Sequence, residues 1–163
     1  MASLISENLT SAICEQIGNE KQNSNIYLFI AGFLKNKGLD RLAKLFEIQH
    51  QEEFEHSKKF FDILTDLNAD VKIPEIDAVD IQFNSILDVA ELYLQKEIET
   101  TESIEALKQM AMEEENSVCE EFFREMIRIQ RAEYEEATSF QDKCLLTGGD
   151  WKFVMLWNQA LGD

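Results

Sequence analysis

The sequence predicts an all-α fold: a four-helix bundle with one long crossover between helices two and three, followed by a short C-terminal fifth helix. Three observations lead there. Four long segments, at about 5–36, 40–67, 86–114 and 117–145, carry apolar residues every three or four positions, the period of an amphipathic helix. One Pro and six Gly in 163 residues are too few for the turns of an all-β chain. The connections between segments one and two and between three and four are short and imply antiparallel hairpins. The connection between two and three has about 18 residues; at ~3.3 Å each these can run the length of a helix and leave helices two and three parallel.

Each element has local support. Helix one ends at Lys35-Asn36-Lys37-Gly38, basic residues in a last turn followed by a Gly able to turn left-handed. Asp40 is the expected N-cap of helix two. The stretch from Asn68 to Ser85 holds the only Pro, Pro74, and no helical stripe. Ser117-x-x-Glu120 reads as a capping box opening helix four. Gly148-Gly149 breaks the chain before Trp151 to Leu161, the fifth helix. The expectation is one domain over 1–163, its bundle at about 5–145 and its C-terminal helix at about 150–161.

The composition narrows the partners. With 45% hydrophobic residues, including 11 Phe, 3 Tyr and 2 Trp, the chain has the material for a core without staples. Its 32 acidic against 15 basic residues leave a formal net charge of −17. No Lys/Arg cluster offers counterion release, so nucleic acid is not an expected partner, whereas cations are. Most of these carboxylates are expected on solvated helix faces. Cys14, Cys119 and Cys144 form no CxxC and suit a reducing compartment. The N-terminus has no basic segment with an apolar run behind it, and the longest apolar run, Tyr27 to Leu34, is far short of the ~18 residues of a membrane span. A cytoplasmic protein with no membrane partner is expected.

The informative places are where the apolar stripes turn polar. Helix one runs Leu9, Ile13, Ile17, Glu20, Ser24, Tyr27, Ala31, Leu34, with Glu20 in mid-stripe. Helix two runs Leu42, Phe46, Gln49, Glu53, His56, Phe60, Leu64, helix three Ile86, Val89, Tyr93, Glu97, Thr101, Ile104, Leu107, and helix four Phe123, Met126, Gln130, Glu133, Ala137, Phe140. Every helix thus places Glu at about half height. A buried carboxylate costs several kcal/mol unless paired or bound to a metal. Four Glu with one His and no basic partner repel one another, and two divalent cations resolve the conflict. Carboxylate sites with one or two imidazoles suit iron, manganese or zinc. The Glu53-x-x-His56 spacing puts both side chains within reach of one metal pair. Glu47-x-x-His50 has the same letters but lies about 120° around the helix, and is expected as a solvated surface pair.

With these residues in place, the chain resembles a non-haem bacterial-type ferritin over nearly its whole length. Glu15-Gln16-Ile17-Gly18-Asn19-Glu20 with Tyr27-Leu28 is similar to that family's first-helix ligand segment. Gln51-Glu52-Glu53-Phe54-Glu55-His56 with Phe61-Asp62-Ile63-Leu64 is similar to the second-helix motif, Glu97 with Thr101 and Ile104 to the third, and Gln130-Arg131-Ala132-Glu133 to the fourth. The resemblance implies a ferritin-like bundle in which Glu20 and His56 hold a first iron, Glu53 bridges and Glu97 holds a second. Gln130 would hydrogen-bond near the site and count among its candidate ligands, Glu133 would sit beside it or ligate weakly, and Tyr27 would pack against the pair and supply an electron.

The implied function is iron storage by a ferroxidase. It would oxidise Fe(II) to Fe(III) with O2 or H2O2 at two irons per subunit and keep ferric mineral inside a homo-oligomeric shell, expected to have twenty-four subunits. The alternatives are a non-catalytic storage shell and a smaller rubrerythrin-like di-iron oxidase or peroxidase. The latter's second helix-four ExxH and CxxC pairs are missing here. Haem is not expected: Phe54 stands where bacterioferritins have a haem-ligating Met, and Glu133 where they have His. Of the third iron site of bacterial ferritins Glu52 and Glu133 are present, but the helix-four acids are Ile129 and Ala132 here. Glu113-Glu114-Glu115 with Glu120 and Glu121 lies where ferritins place an ion channel, and reads equally as a solvated turn.

Overall fold

The computed structural model describes residues 1–162, and they form five helices and no strand. These are α1 (Glu7–Asn36), α2 (Asp40–Asp66), α3 (Ile86–Glu113), α4 (Ser117–Leu146) and α5 (Trp151–Ala160). The four long helices match the predicted segments to within two residues at their ends.

The hydrogen bonds at one end of the bundle establish its topology. The Leu4 N–H donates to the Leu67 carbonyl at 2.9 Å, the Ser6 hydroxyl to Glu114 at 2.6 Å, and the Asn116 side chain to the Leu4 carbonyl at 3.3 Å. The start of α1, the ends of α2 and α3 and the start of α4 therefore meet there. Helices α2 and α3 point the same way, which only a full-length crossover allows. That crossover lies along α1. The Lys72 N–H donates to the Cys14 sulfur at 3.4 Å, and Phe83 packs on Phe29 and Phe33 with ring centroids 6.0 and 5.0 Å apart.

The caps differ from expectation in three places. Helix α2 opens one residue early: Asp40 is its first helical residue and Leu39 its N-cap, with no side-chain bond of its own. The missing acceptor comes from α5, where Asn158 Oδ1 takes the N–H groups of Arg41 and Leu42 at 3.1 and 2.9 Å. Helix α4 is capped by Asn116, which accepts from the Cys119 N–H at 3.1 Å; Glu120 pairs with Arg124 instead of closing a box. The capping box that does form is Ser85 with Asp88, at the start of α3. Asn, Ser and Asp all serve as caps, so sequence alone places a cap only to within a residue or so. Gly38, at φ 78°, supplies the left-handed turn expected after α1.

The apolar core falls into two clusters. One, near the α5 end, contains Tyr27, Ile30, Leu34, Leu42, Phe46, Ile86, Val89 and Phe140; the other contains Leu9, Ile13, Ile17, Phe60, Leu64, Ile104, Leu107 and Phe123. Each such side chain stabilises the fold by roughly 1.5–3 kcal/mol. Between the clusters, at half height, lies a belt of buried polar residues. The fifth helix covers the first cluster: Trp157 packs on Phe140 at 5.4 Å, and Trp151 lies against Phe33 with the Lys37 ammonium 4.4 Å from the Trp151 ring.

Gly18 is where the crossover presses on α1: a Cβ there would lie 2.4 Å from Pro74 Cγ, whereas one at Gly32 meets nothing within 4 Å. The two glycines should therefore respond oppositely to Ala. Gly32→Ala gains roughly 0.5–1 kcal/mol of helix propensity. Gly18→Ala loses that gain to overpacking of about 1–3 kcal/mol and destabilises. Thermal unfolding of the two metal-free variants checks the signs.

Candidate metal centre

The polar belt gathers the predicted residues from all four long helices. Glu20 comes from α1, Glu53 and His56 from α2, Glu97 from α3, and Gln130 and Glu133 from α4. Glu20, Glu53 and Glu97 are 0% exposed, and Gln130, Glu133 and His56 are buried with them. The period that buries the apolar stripes carries these groups inward, because they occupy stripe positions.

Two groups of ligand atoms converge. Atoms of Glu20, Glu53 and His56 lie within 4.8 Å of one another, as do atoms of Glu53, Glu97 and Glu133. Glu53 belongs to both and is the geometric bridge. His56 sits between the α2 and α4 carboxylates, Nε2 at 3.3 Å from Glu133 and Nδ1 at 3.8 Å from Glu53. The supporting groups are unevenly distributed. Glu97 is held on both oxygens, by the Tyr27 O–H at 2.5 Å and by Gln130 Nε2 at 2.5 Å; Gln130 also reaches the Glu97 carbonyl at 3.2 Å. Glu20 is held on one oxygen by Gln16 Nε2 at 3.0 Å. Among the described residues, both Glu53 oxygens, the second Glu20 oxygen and one Glu133 oxygen are buried with no hydrogen-bond partner.

Unpartnered buried oxygens of this kind mark a donor set completed by something else. The set is carboxylate oxygen plus one imidazole, a chemistry that suits divalent first-row cations. The protonation states agree. Burial, and then the charge of Glu20, push the Glu53 carboxyl well above its ordinary value. Burial, and then the charge of Glu97, raise Glu133 to about 9. Burial raises Glu97 to about 7 against the opposing bonds from Tyr27 and Gln130. Burial lowers His56, leaving it a neutral ligand at neutral pH. Without a cation the centre holds protons in the cation's place.

Gln130 makes the hydrogen bond expected of it, donating to Glu97 through its amide nitrogen. Several other residues stand differently from the sequence reading. Gln16 was missed, although a Gln one turn before Glu20 was the available signal. Glu47 and His50 do not pair: Glu47 meets Lys35 at 2.5 Å, and half-buried His50 contacts the Ser24 hydroxyl and carbonyl through Nδ1 at 2.8 and 2.9 Å. Both belong to the α1–α2 seam, where a histidine on the flank of the stripe reaches the neighbouring helix. In the acidic patch Glu113, Glu114 and Glu115 are exposed, with Glu113 bound to Gln109 and Glu114 to Ser6.

The raised carboxyl values predict an inverted pH dependence for the metal-free protein. Between the ordinary carboxyl value and about 9 the folded state holds a proton on Glu133 that the unfolded chain has released. Stability then falls as pH rises. Between pH ~7 and ~9 histidine is neutral in both states and does not oppose the trend. The thermal midpoint of metal-free protein should drop over that window, and Glu133→Gln should flatten the drop. A midpoint that rises with pH would contradict the buried-proton account.

The chain is similar to known proteins over most of its length. Residues 10–146, most of the chain, match the ferritin-like domain family. A bacterial non-haem ferritin of Bacteroides fragilis is 29% identical over 145 residues, covering 89% of this chain and 91% of that one. The ferritin BfrB of Mycolicibacterium smegmatis is 33% identical over 127 residues, covering 78% of this chain and 70% of that one. Among solved structures, an open-pore ferritin from the archaeon Archaeoglobus fulgidus superposes with a TM-score of 0.91 at 26% identity, covering 95% of this chain and 96% of that one. The chain belongs to the ferritin-like domain family, as a ferritin of the bacterial non-haem type.

Proposed function

We propose that this chain is the subunit of an iron-storing ferritin and that its carboxylate centre is a ferroxidase. The observation that carries the reading is the convergence, in the buried bundle core, of two groups of ligand atoms sharing Glu53, with oxygens that no protein donor satisfies. Iron is the substrate here. Glu20 and His56 hold one Fe2+, Glu97 and Glu133 the other, and Glu53 lies between them. Each Fe2+ gives up one electron. The two electrons with two protons reduce O2 to H2O2, or H2O2 to two waters. Hard carboxylate oxygens favour the ferric product over the ferrous substrate.

The chain's other groups prepare this step. Tyr27 and Gln130 fix both oxygens of Glu97, so that ligand keeps its direction while charge on the metals changes. Gln16 does the same for one oxygen of Glu20. Protons leave Glu53 and Glu133 as the cations arrive, since ligation requires the ionised carboxylate. Tyr27 packs edge-on against Tyr93 with centroids 5.3 Å apart, which holds its O–H on Glu97. The same reading takes the product to ferric mineral inside a hollow homo-oligomeric shell, with twenty-four subunits and a cytoplasmic location as its finer expectations. Among the described residues no helix is long and apolar enough to cross a membrane.

The test adds Fe2+ to metal-free protein in air, a few irons per subunit, and follows ferric absorbance. A rapid phase should saturate near two irons per subunit. Glu53→Ala removes a ligand from both groups and should slow that phase by roughly 10–100-fold or more. An unchanged rate in this variant would overturn the ferroxidase reading.

A further inference from the structure

Between α1 and α3 the bundle is not sealed by apolar side chains. A cavity of about 140 Å³ opens there, and every residue that lines it is polar or charged. Its lining includes Asn19, Gln22 and Asn23 from α1 and Thr100 and Ser103 from α3. The register sets its floor beside the centre. Asn23 lies one turn after Glu20, and Thr100 one turn after Glu97. Both are buried, and the Asn23 amide nitrogen donates to the Thr100 hydroxyl oxygen at 3.0 Å. The mouth lies at exposed Asn19 and Glu99. A hydrogen-bonded line runs from mouth to centre: Asn19 Nδ2 donates to Gln16 Oε1 at 3.4 Å, and Gln16 Nε2 to Glu20 at 3.0 Å.

Two features mark a passage rather than packing. Apolar side chains would fill the floor at no desolvation cost, whereas a buried amide and hydroxyl do little more than meet each other's. Among the described residues, Gln22 Oε1, in the cavity wall, is buried with no hydrogen-bond partner. Such an oxygen is completed by a guest that donates an O–H. The Lys96 ammonium, also in the lining, is taken up by Glu99 at 3.2 Å.

We propose that this seam admits hydrogen peroxide to the centre, and that Gln22, Asn23 and Thr100 select it over O2. The proposal rests on the ferroxidase reading and names its oxidant. H2O2 has an O–H donor and acceptor lone pairs on each oxygen. It enters a buried site only where it exchanges water for equivalent partners, and the polar lining supplies them. O2 has no hydrogen to donate and gains nothing from that lining. At the centre two Fe2+ each give up one electron and become Fe3+. The O–O bond breaks, and two protons from solvent, carried along the seam, complete two waters that leave the same way.

The test compares the two oxidants on the full-length protein. Metal-free protein is loaded anaerobically with about two Fe2+ per subunit and mixed with H2O2 or with O2 in a stopped-flow spectrometer. Asn23→Leu/Thr100→Val replaces both members of the buried pair with apolar groups of similar shape, the kind of exchange a fold tolerates best. In this variant the H2O2-driven phase should slow by roughly 10-fold, the order that losing one or two hydrogen bonds to a guest produces, and recover as H2O2 is raised. The O2-driven phase and anaerobic Fe2+ binding should keep their wild-type values. Gln22→Leu, at a half-buried position, should show the same selective slowing, and it decides the question if the double variant does not fold. A wild-type rate with H2O2, or equal slowing with both oxidants, would overturn this proposal alone. No rapid phase with either oxidant in the wild-type protein would overturn both this proposal and the ferroxidase reading.

Discussion

The mutual repulsion of carboxylates in a buried belt is the constraint on which the rest of this molecule depends. Glu20, Glu53, Glu97 and Glu133 are brought together by the same helical period that buries Leu, Phe and Ile above and below them. The two apolar clusters supply the stabilisation that holds the helices at this separation. The carboxylates contribute the opposite sign, because each buried charge costs several kcal/mol. The protein meets that cost with protons when no cation is bound, and the raised values of Glu53, Glu97 and Glu133 express it. A bundle built for stability alone would place leucine at these positions.

The support around the belt is graded in a way that suits metal exchange. Glu97 is clamped on both oxygens by Tyr27 and Gln130, Glu20 on one by Gln16, and Glu53 on neither. The clamped carboxylates are held in a fixed orientation, and the unclamped one, shared by both groups of converging atoms, has no hydrogen bond to hold it. The crossover leaves α2 and α3 parallel and lays Pro74 against Gly18 on α1.

Much of this was legible before any coordinates. The interruption of four apolar stripes by Glu at half height, together with one long connection, identified both the bundle and the buried carboxylates that converge in it, because helical period and chain reach are properties of the chain alone. Finer features were less accessible. The cap of α2 comes from Asn158, more than a hundred residues away, and no local pattern at Asp40 contains it. Gln16 lies beside a buried stripe, yet a Gln there reads equally as a tolerated polar residue. His50 matched the ligand pattern in letters, and only the seam between α1 and α2 showed its partner to be Ser24.

The sequence by itself therefore determined which residues face inward, how many helices there are, which way they run and which side chains have the chemistry to hold cations. Tertiary structure decided how those side chains divide the work. Whether an oxygen is clamped, shared or left without a partner depends on the distance between groups on different helices, which the sequence of one helix does not encode. That distance puts Glu53 in both groups of converging atoms and leaves Glu97 held on both oxygens, although both are glutamates in the middle of a buried stripe.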